Sequence, residues 1–189
     1  AIFALFLGSL ATFGLEYCVQ PILPAISAEF SVSPSVSSII MSIGLAGMAI
    51  SMFLIATFAD NLKRKRTMVI ALTIAAILTI IISITNNLKL IWIFRFIQGF
   101  LLAGFPALAV AYINEEFSPE ITGKIVGIYI SGTSIGGFVG RVITSALTDV
   151  FNWRIGLGIM GISYLVIAII FFFCLPKGKN HTPKNLAQI

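Results

Sequence analysis

Charge is what this sequence lacks most. Its 189 residues include 12 lysines and arginines and 7 aspartates and glutamates, so 10% are charged against 58% hydrophobic. A soluble globular chain carries roughly 25% charged residues, and this one has too few to cover a surface facing water. Histidine occurs once, as His181 in a polar tail, and cysteine twice, as Cys18 and Cys174. Both cysteines lie in apolar segments without metal-ligand spacing, a setting in which free Cys packs as a small hydrophobe. Neither a disulfide, a metal nor a cofactor is expected. The apolar stretches also lack a His-rich, paired-carboxylate or nucleophile–base constellation, which argues against a membrane-embedded enzyme. The net charge of +5 comes without a basic stripe interleaved with aromatics, so nucleic acid is not an expected partner. The chain opens "AIFALFLGS", with neither methionine nor a basic n-region. That start predicts a membrane helix already under way rather than a cleavable signal peptide.

What the sequence does have is long apolar runs. Thr67 to Thr85 and Ile155 to Leu175 carry no charge at all, and about 20 such residues cross a hydrocarbon core of ~30 Å. The pattern predicts an all-α membrane protein with six spans. The first runs from Ile2 to Ala28, kinked toward its end by Pro21 and Pro24. Ser33 is a candidate N-cap with Pro34 at the first helical position, opening a second span over Ser35 to Ala59. The third covers Thr67 to Thr85, the fourth Leu90 to Asn114, the fifth Ile125 to Val150, and the sixth, after "FNWR", ends near Leu175. Residues 1–175 thus read as one six-helix domain and 176–189 as a basic tail.

Four consecutive cations, Lys63 to Arg66, stand between the second and third spans just after Asp60. With Lys124 and the tail lysines Lys177, Lys179 and Lys184 they fall on one side of a six-span topology, opposite Lys89 and Arg154. The positive-inside rule then predicts both termini and the four-cation segment on the cytoplasmic side of the membrane. Small residues recur at helical spacing: Gly132, Gly136 and Gly140, then Gly123, Gly127 and Ser131, then Gly99, Ala103, Ala107 and Ala111. Such stripes let membrane helices approach closely.

Several segments carry a resemblance. "ADNLKRK" (Ala59 to Lys65) resembles the loop signature between the second and third helices of the major facilitator superfamily, with Ala59, Asp60, Arg64 and Lys65 in register. "RFIQG" (Arg95 to Gly99) is similar to its fourth-helix motif, and "GTSIGGFVGR" (Gly132 to Arg141) to the glycine-rich fifth-helix motif of drug:proton antiporters, with Gly137 in place of proline. "SPEITG" resembles the superfamily's Pro-Glu-x-x-Gly loop and "NWR" its aromatic-Arg entry to the sixth helix, while "YCVQPILP" in the first helix looks like bacterial drug and sugar efflux permeases of the inner membrane. Together they correspond to the N-terminal six-helix half of a twelve-helix transporter built of 3+3 inverted repeats, whose halves rock about a midplane site. The resemblance implies proton-coupled efflux of a small drug-like compound or sugar, without an enzymatic step. It also implies that Asp60 meets a helix end in the other half, and that Arg64 and Lys65 form a switch with Glu115 and Glu116. A C-terminal half or a second copy is the implied partner, beside membrane lipid and the substrate. A symporter or uniporter, and a non-transporting assembly partner, are the alternatives.

Three charges lie inside the spans: Glu16, Arg95 and Arg141. Each costs roughly 2.5–3.5 kcal/mol facing lipid, so all are expected to face the interior or water, together in the outer half of one cavity. For a carboxylate, burial favours the neutral form and a nearby cation the ionised form, so a modest rearrangement switches its protonation. Glu16 is therefore the expected proton carrier and Arg95 its modulator. Phe13, Tyr17, Gln20, Gln98 and Arg141 are the expected substrate contacts, since small-molecule sites combine aromatic faces with a few polar groups.

Overall fold

The computed structural model describes residues 1–58 and 62–176, without the side chains of 56–58. Among the described residues there is no strand. The helices are α1 (Ile2–Tyr17), α2 (Leu23–Glu29), α3 (Pro34–Phe58), α4 (Arg64–Ile84), α5 (Leu88–Leu102), α6 (Gly104–Glu116), α7 (Pro119–Val150) and α8 (Trp153–Cys174), with a 3-10 turn at Gln20–Ile22. They form six segments long and apolar enough to cross a membrane. The first span joins α1, the 3-10 turn and α2; the fourth joins α5 and α6.

Local chemistry explains most of the boundaries. Ser33 Oγ accepts from the Val36 amide at 3.4 Å, Asn87 Oδ1 from Lys89 at 3.0 Å, and Asn152 Oδ1 from Ile155 at 2.9 Å. Each satisfies an amide that a helix start leaves without an intrahelical partner. Three boundaries differ from the sequence expectation. The third span starts at Arg64, so three of the four cations form its first turn rather than a loop. The fourth span is not continuous but breaks at Ala103, because Pro106 has no amide hydrogen to offer Leu102. The fifth begins at Pro119, and its 32 residues extend over about 48 Å at 1.5 Å per residue, well beyond a bilayer core.

The most extensively packed helix pairs are α1 with α7, α4 with α8, and α3 with α5. In span numbers these are 1 with 5, 3 with 6, and 2 with 4. Exchanging spans 1–3 for spans 4–6 turns the first pair into the last and leaves the middle one unchanged. The packing is therefore that of two three-span repeats, and an odd number of spans per repeat inverts the second copy relative to the first.

Glycine makes the two equivalent seams possible. On α7, a Cβ at Gly132 would lie 2.8 Å from Phe6 O, at Gly136 2.2 Å from Leu10 O, and at Gly140 2.7 Å from Gly14 O. On the α3–α5 seam, a Cβ at Gly47 would lie 2.4 Å from Phe96 O, and at Gly99 1.9 Å from Gly44 O. Backbones touch backbones in both places, the close approach that apolar surroundings favour. The second stripe on α7 behaves differently: a Cβ at Gly123 or Gly127 would meet nothing within 4 Å. Large apolar side chains such as Phe53, Phe138, Val150 and Phe173 point outward, as they would toward lipid.

Candidate functional site

Arg95 stands near the middle of α5 and is 0% exposed. All its nitrogens are engaged. Nε donates to Ile40 O at 3.3 Å, Nη1 to Gln98 Oε1 at 2.5 Å, and Nη2 to both Glu16 O at 3.1 Å and Glu16 Oε1 at 3.0 Å. Gln98, one turn on, passes the network to the third span through Nε2, which donates to Ala75 O at 2.9 Å and Thr79 Oγ1 at 2.6 Å. Thr79 in turn donates to Ala75 O at 3.0 Å. One guanidinium thus ties together α1, α3, α4 and α5. Gly44 makes the room, since a Cβ there would fall 2.7 Å from Arg95 Nη2 and 2.9 Å from Glu16 Oε1. Glu16 Oε2 is buried and has no hydrogen-bond partner among the described residues.

This geometry corrects two expectations. Glu16 and Arg95 do not share a cavity with Arg141; they are sealed within the bundle, while Arg141 is exposed. The pair can leave water because its opposite charges and the surrounding carbonyls replace hydration. Gln98, expected as a substrate contact, is 1% exposed and belongs to the sealed network.

The other expected contacts do lie together. Arg141 Nε donates to Gln20 Oε1 at 2.6 Å, and the guanidinium sits 4.2 Å from the Tyr17 ring centre. Tyr17 stacks with Phe13, the centroids 6.4 Å apart at 21°. Gly137 lies beneath: a Cβ there would come within 3.3 Å of Tyr17 Cδ2. Phe13 and Tyr17 are half-buried, Gln20 and Arg141 exposed. The first span therefore carries the buried carboxylate and the exposed cluster within two turns of one another.

Polar staples close both ends of the bundle. At the basic-loop end Arg64 pairs with Glu115, and Lys65 donates to Leu175 O while lying 5.1 Å from the Phe172 ring centre. Tyr112 Oη donates to Pro176 O at 3.4 Å. Glu116 follows Glu115 as the last residue of α6. Asp60 lies outside the described residues, as do Lys177, Lys179, His181 and Lys184. Cations in the first turn of α4 oppose its helix dipole, and Glu115 with the last carbonyls of α8 offsets this.

At the far end Arg154 donates to Glu29 Oε1 at 3.1 Å from Nε and 2.5 Å from Nη2, and to Ser83 O at 3.1 Å and Thr85 O at 2.9 Å. Trp153 Nε1 adds a bond to Glu29 Oε2 at 2.6 Å. Under the repeat exchange Glu29 corresponds to Glu115, Arg154 to Arg64 and Lys65, and Thr85 to Leu175. The sequence reading missed this second staple, and also Thr79 and Gly44. The visible signal was a hydroxyl inside the most apolar third span and a glycine in mid-span. Replacing Arg154 by Lys keeps the charge but loses the fork, and is expected to cost about 1 kcal/mol at this partly exposed position. Thermal unfolding of the complete protein measures it; an unchanged midpoint would show that the fork contributes nothing.

A bundle of six spans with inverted three-span repeats, matched staples at both ends and a sealed carboxylate–guanidinium pair defines a class of multi-pass membrane protein. Residues 5–188 match the family model of the Major Facilitator Superfamily, and the chain belongs to that family. It is 42% identical over 183 residues to the inner membrane transport protein YnfM of Escherichia coli K12, covering 97% of this chain and 44% of that relative. It is 34% identical over 184 residues to the uncharacterized MFS-type transporter YybF of Bacillus subtilis, covering 97% and 46%. Among solved structures, a bacterial homolog of the human lysosomal transporter Spinster, in an inward-facing occupied conformation, superposes with a TM-score of 0.84 at 18% identity, over 98% of this chain and 46% of that one. The chain thus spans about half the length of the relatives it matches, and its fold is one six-helix half of theirs.

Proposed function

We propose that this chain is the N-terminal half of a secondary transporter that exports a small organic molecule across a bacterial inner membrane by alternating access, in exchange for protons. The observation that carries this reading is the Glu16–Arg95 pair, 3.0 Å apart with side chains 1% and 0% exposed, one turn from the exposed cluster on the same span. A charged pair so deep in an apolar bundle is expensive unless it works. Glu16 presents one oxygen to Arg95 and keeps the other without a partner, so a proton has a place to bind once the pair loosens. Protonation weakens the link from α1 to α5, and α1 also carries Phe13, Tyr17 and Gln20. Charge on Glu16 and occupancy of the cluster then bias the same helix, the condition for coupling two ligands. The second half, or a second copy, completes the path, and the Arg64–Glu115 staple with Lys65 acts as the latch on the side we assign to the cytoplasm.

The test is Glu16→Gln in the complete transporter, reconstituted in vesicles and supplied with dye or sugar substrates. Flux driven by a pH gradient is expected to fall at least tenfold while exchange without a gradient persists. Unchanged gradient-driven flux would remove Glu16 from the coupling.

A further inference from the structure

Of the five arginines in the described structure three have a carboxylate opposite them: Arg64 has Glu115, Arg95 has Glu16 and Arg154 has Glu29, while Arg66 stands in the first turn of α4 at the end of the bundle. Arg141 has no carboxylate partner among the described residues, although it stands inside α7, nine residues before that helix ends. Its Nε is held by Gln20 Oε1 at 2.6 Å and its flat face by the Tyr17 ring at 4.2 Å. Nη1 and Nη2, the two nitrogens that form the open edge of the fork, have no partner among the described residues. Arg141 is exposed and its guanidinium is open to a ligand, and it is oriented in advance by an amide and an aromatic face. Side chains so placed lose little freedom on binding, and a two-pronged contact to a carboxylate is the geometry that Arg favours. Phe13 and Tyr17, stacked at 21°, supply a flat apolar wall one turn away.

We propose that the Phe13–Tyr17–Gln20–Arg141 cluster binds an organic anion, its carboxylate on the open edge of Arg141 and its flat apolar body along the Tyr17–Phe13 wall. This rests on the transport reading and narrows its substrate class from small organic molecules in general to aryl or related carboxylates. Gln20 is a positioning residue, since its amide oxygen fixes the plane of the fork. The sealed Glu16–Arg95 pair is net neutral and does not repel the incoming anion, and Asp149, two turns along α7, lies beyond the cluster.

The complete transporter in lipid nanodiscs is titrated with benzoate, benzamide and benzylamine, and Arg141 modification by phenylglyoxal is followed by peptide mass spectrometry. Without ligand, Arg141 is expected to label while Arg95, sealed in the bundle, does not. Benzoate protects Arg141 and benzamide does not. Arg141→Gln weakens benzoate binding about 10- to 100-fold, as loss of a charge-assisted bond does, and leaves benzamide unaffected; Arg141→Lys keeps part of the preference. Equal binding of benzoate and benzamide, a preference for benzylamine, or an Arg141 that resists labelling in the free protein would each overturn the assignment. The last result would show that the fork is covered before any ligand arrives. Charge-blind binding with gradient-driven flux intact removes the anion and leaves transport standing. Benzoate protection without flux of any compound does the reverse.

Discussion

Arg95→Met alone is expected to destabilise the complete protein by about 3–5 kcal/mol, and Glu16→Leu/Arg95→Met to recover most of that loss. The single change strands Glu16 in a site where it is 0% exposed and removes the donor that Gln98 Oε1 and Ile40 O accept from. The double change removes both charges, and replacing a buried ion pair by apolar side chains of similar volume is often neutral or better. Reversible unfolding in mixed micelles measures both. The same comparison separates folding from function: the double variant is expected to be stable and to have lost gradient-driven flux. Equal stability losses for single and double variants would mean that the pair is held by packing rather than by charge.

The second large effect concerns the glycine seams. Gly99→Ala and Gly136→Ala are each expected to cost about 1–3 kcal/mol, the usual penalty of overpacking. At both positions the new carbon falls on backbone, 1.9 Å from Gly44 O and 2.2 Å from Leu10 O, and backbone cannot step aside as a flexible side chain does. The two helices must separate instead, and neighbouring contacts open with them. Gly104→Ala is the control, because its nearest neighbour would be Ile55 Cδ1 at 3.7 Å, an ordinary contact. It is expected to stay within about 1 kcal/mol of the parent, the range of the Gly-to-Ala helix propensity difference. If all three variants melt together, the seams are looser than the geometry requires.

The two seams and the two end staples share one cause. A three-span repeat used twice in inverted orientation presents each device once toward either face of the membrane. Glu29–Arg154 at one end and Glu115–Arg64 at the other both link the end of one helix to the start of another. The alternating access proposed above needs closures at both faces, and the inverted repeat supplies them together.

The sequence by itself determined the class, the number of spans and which spans carry charges. These follow from hydropathy and from the cost of burying ions, which depend on composition along the chain and not on neighbours in space. It also singled out Glu16, Arg95 and the Gly132–Gly136–Gly140 stripe, because a charge or a glycine periodicity inside an apolar run is conspicuous in one dimension. Only the tertiary structure decided that Gln98 serves Arg95 rather than an open cluster, that Arg141 is held by Gln20 and Tyr17 on a separate surface, and that Gly44 is hollowed for the ion pair. The break at Ala103 stood in the sequence as Pro106, and the far-end staple as Glu29 and Arg154, yet neither was read. Those outcomes turn on which face each helix shows its neighbours, a rotation about its axis that a nearly all-apolar helix does not encode, since lipid and protein interior reward the same side chains.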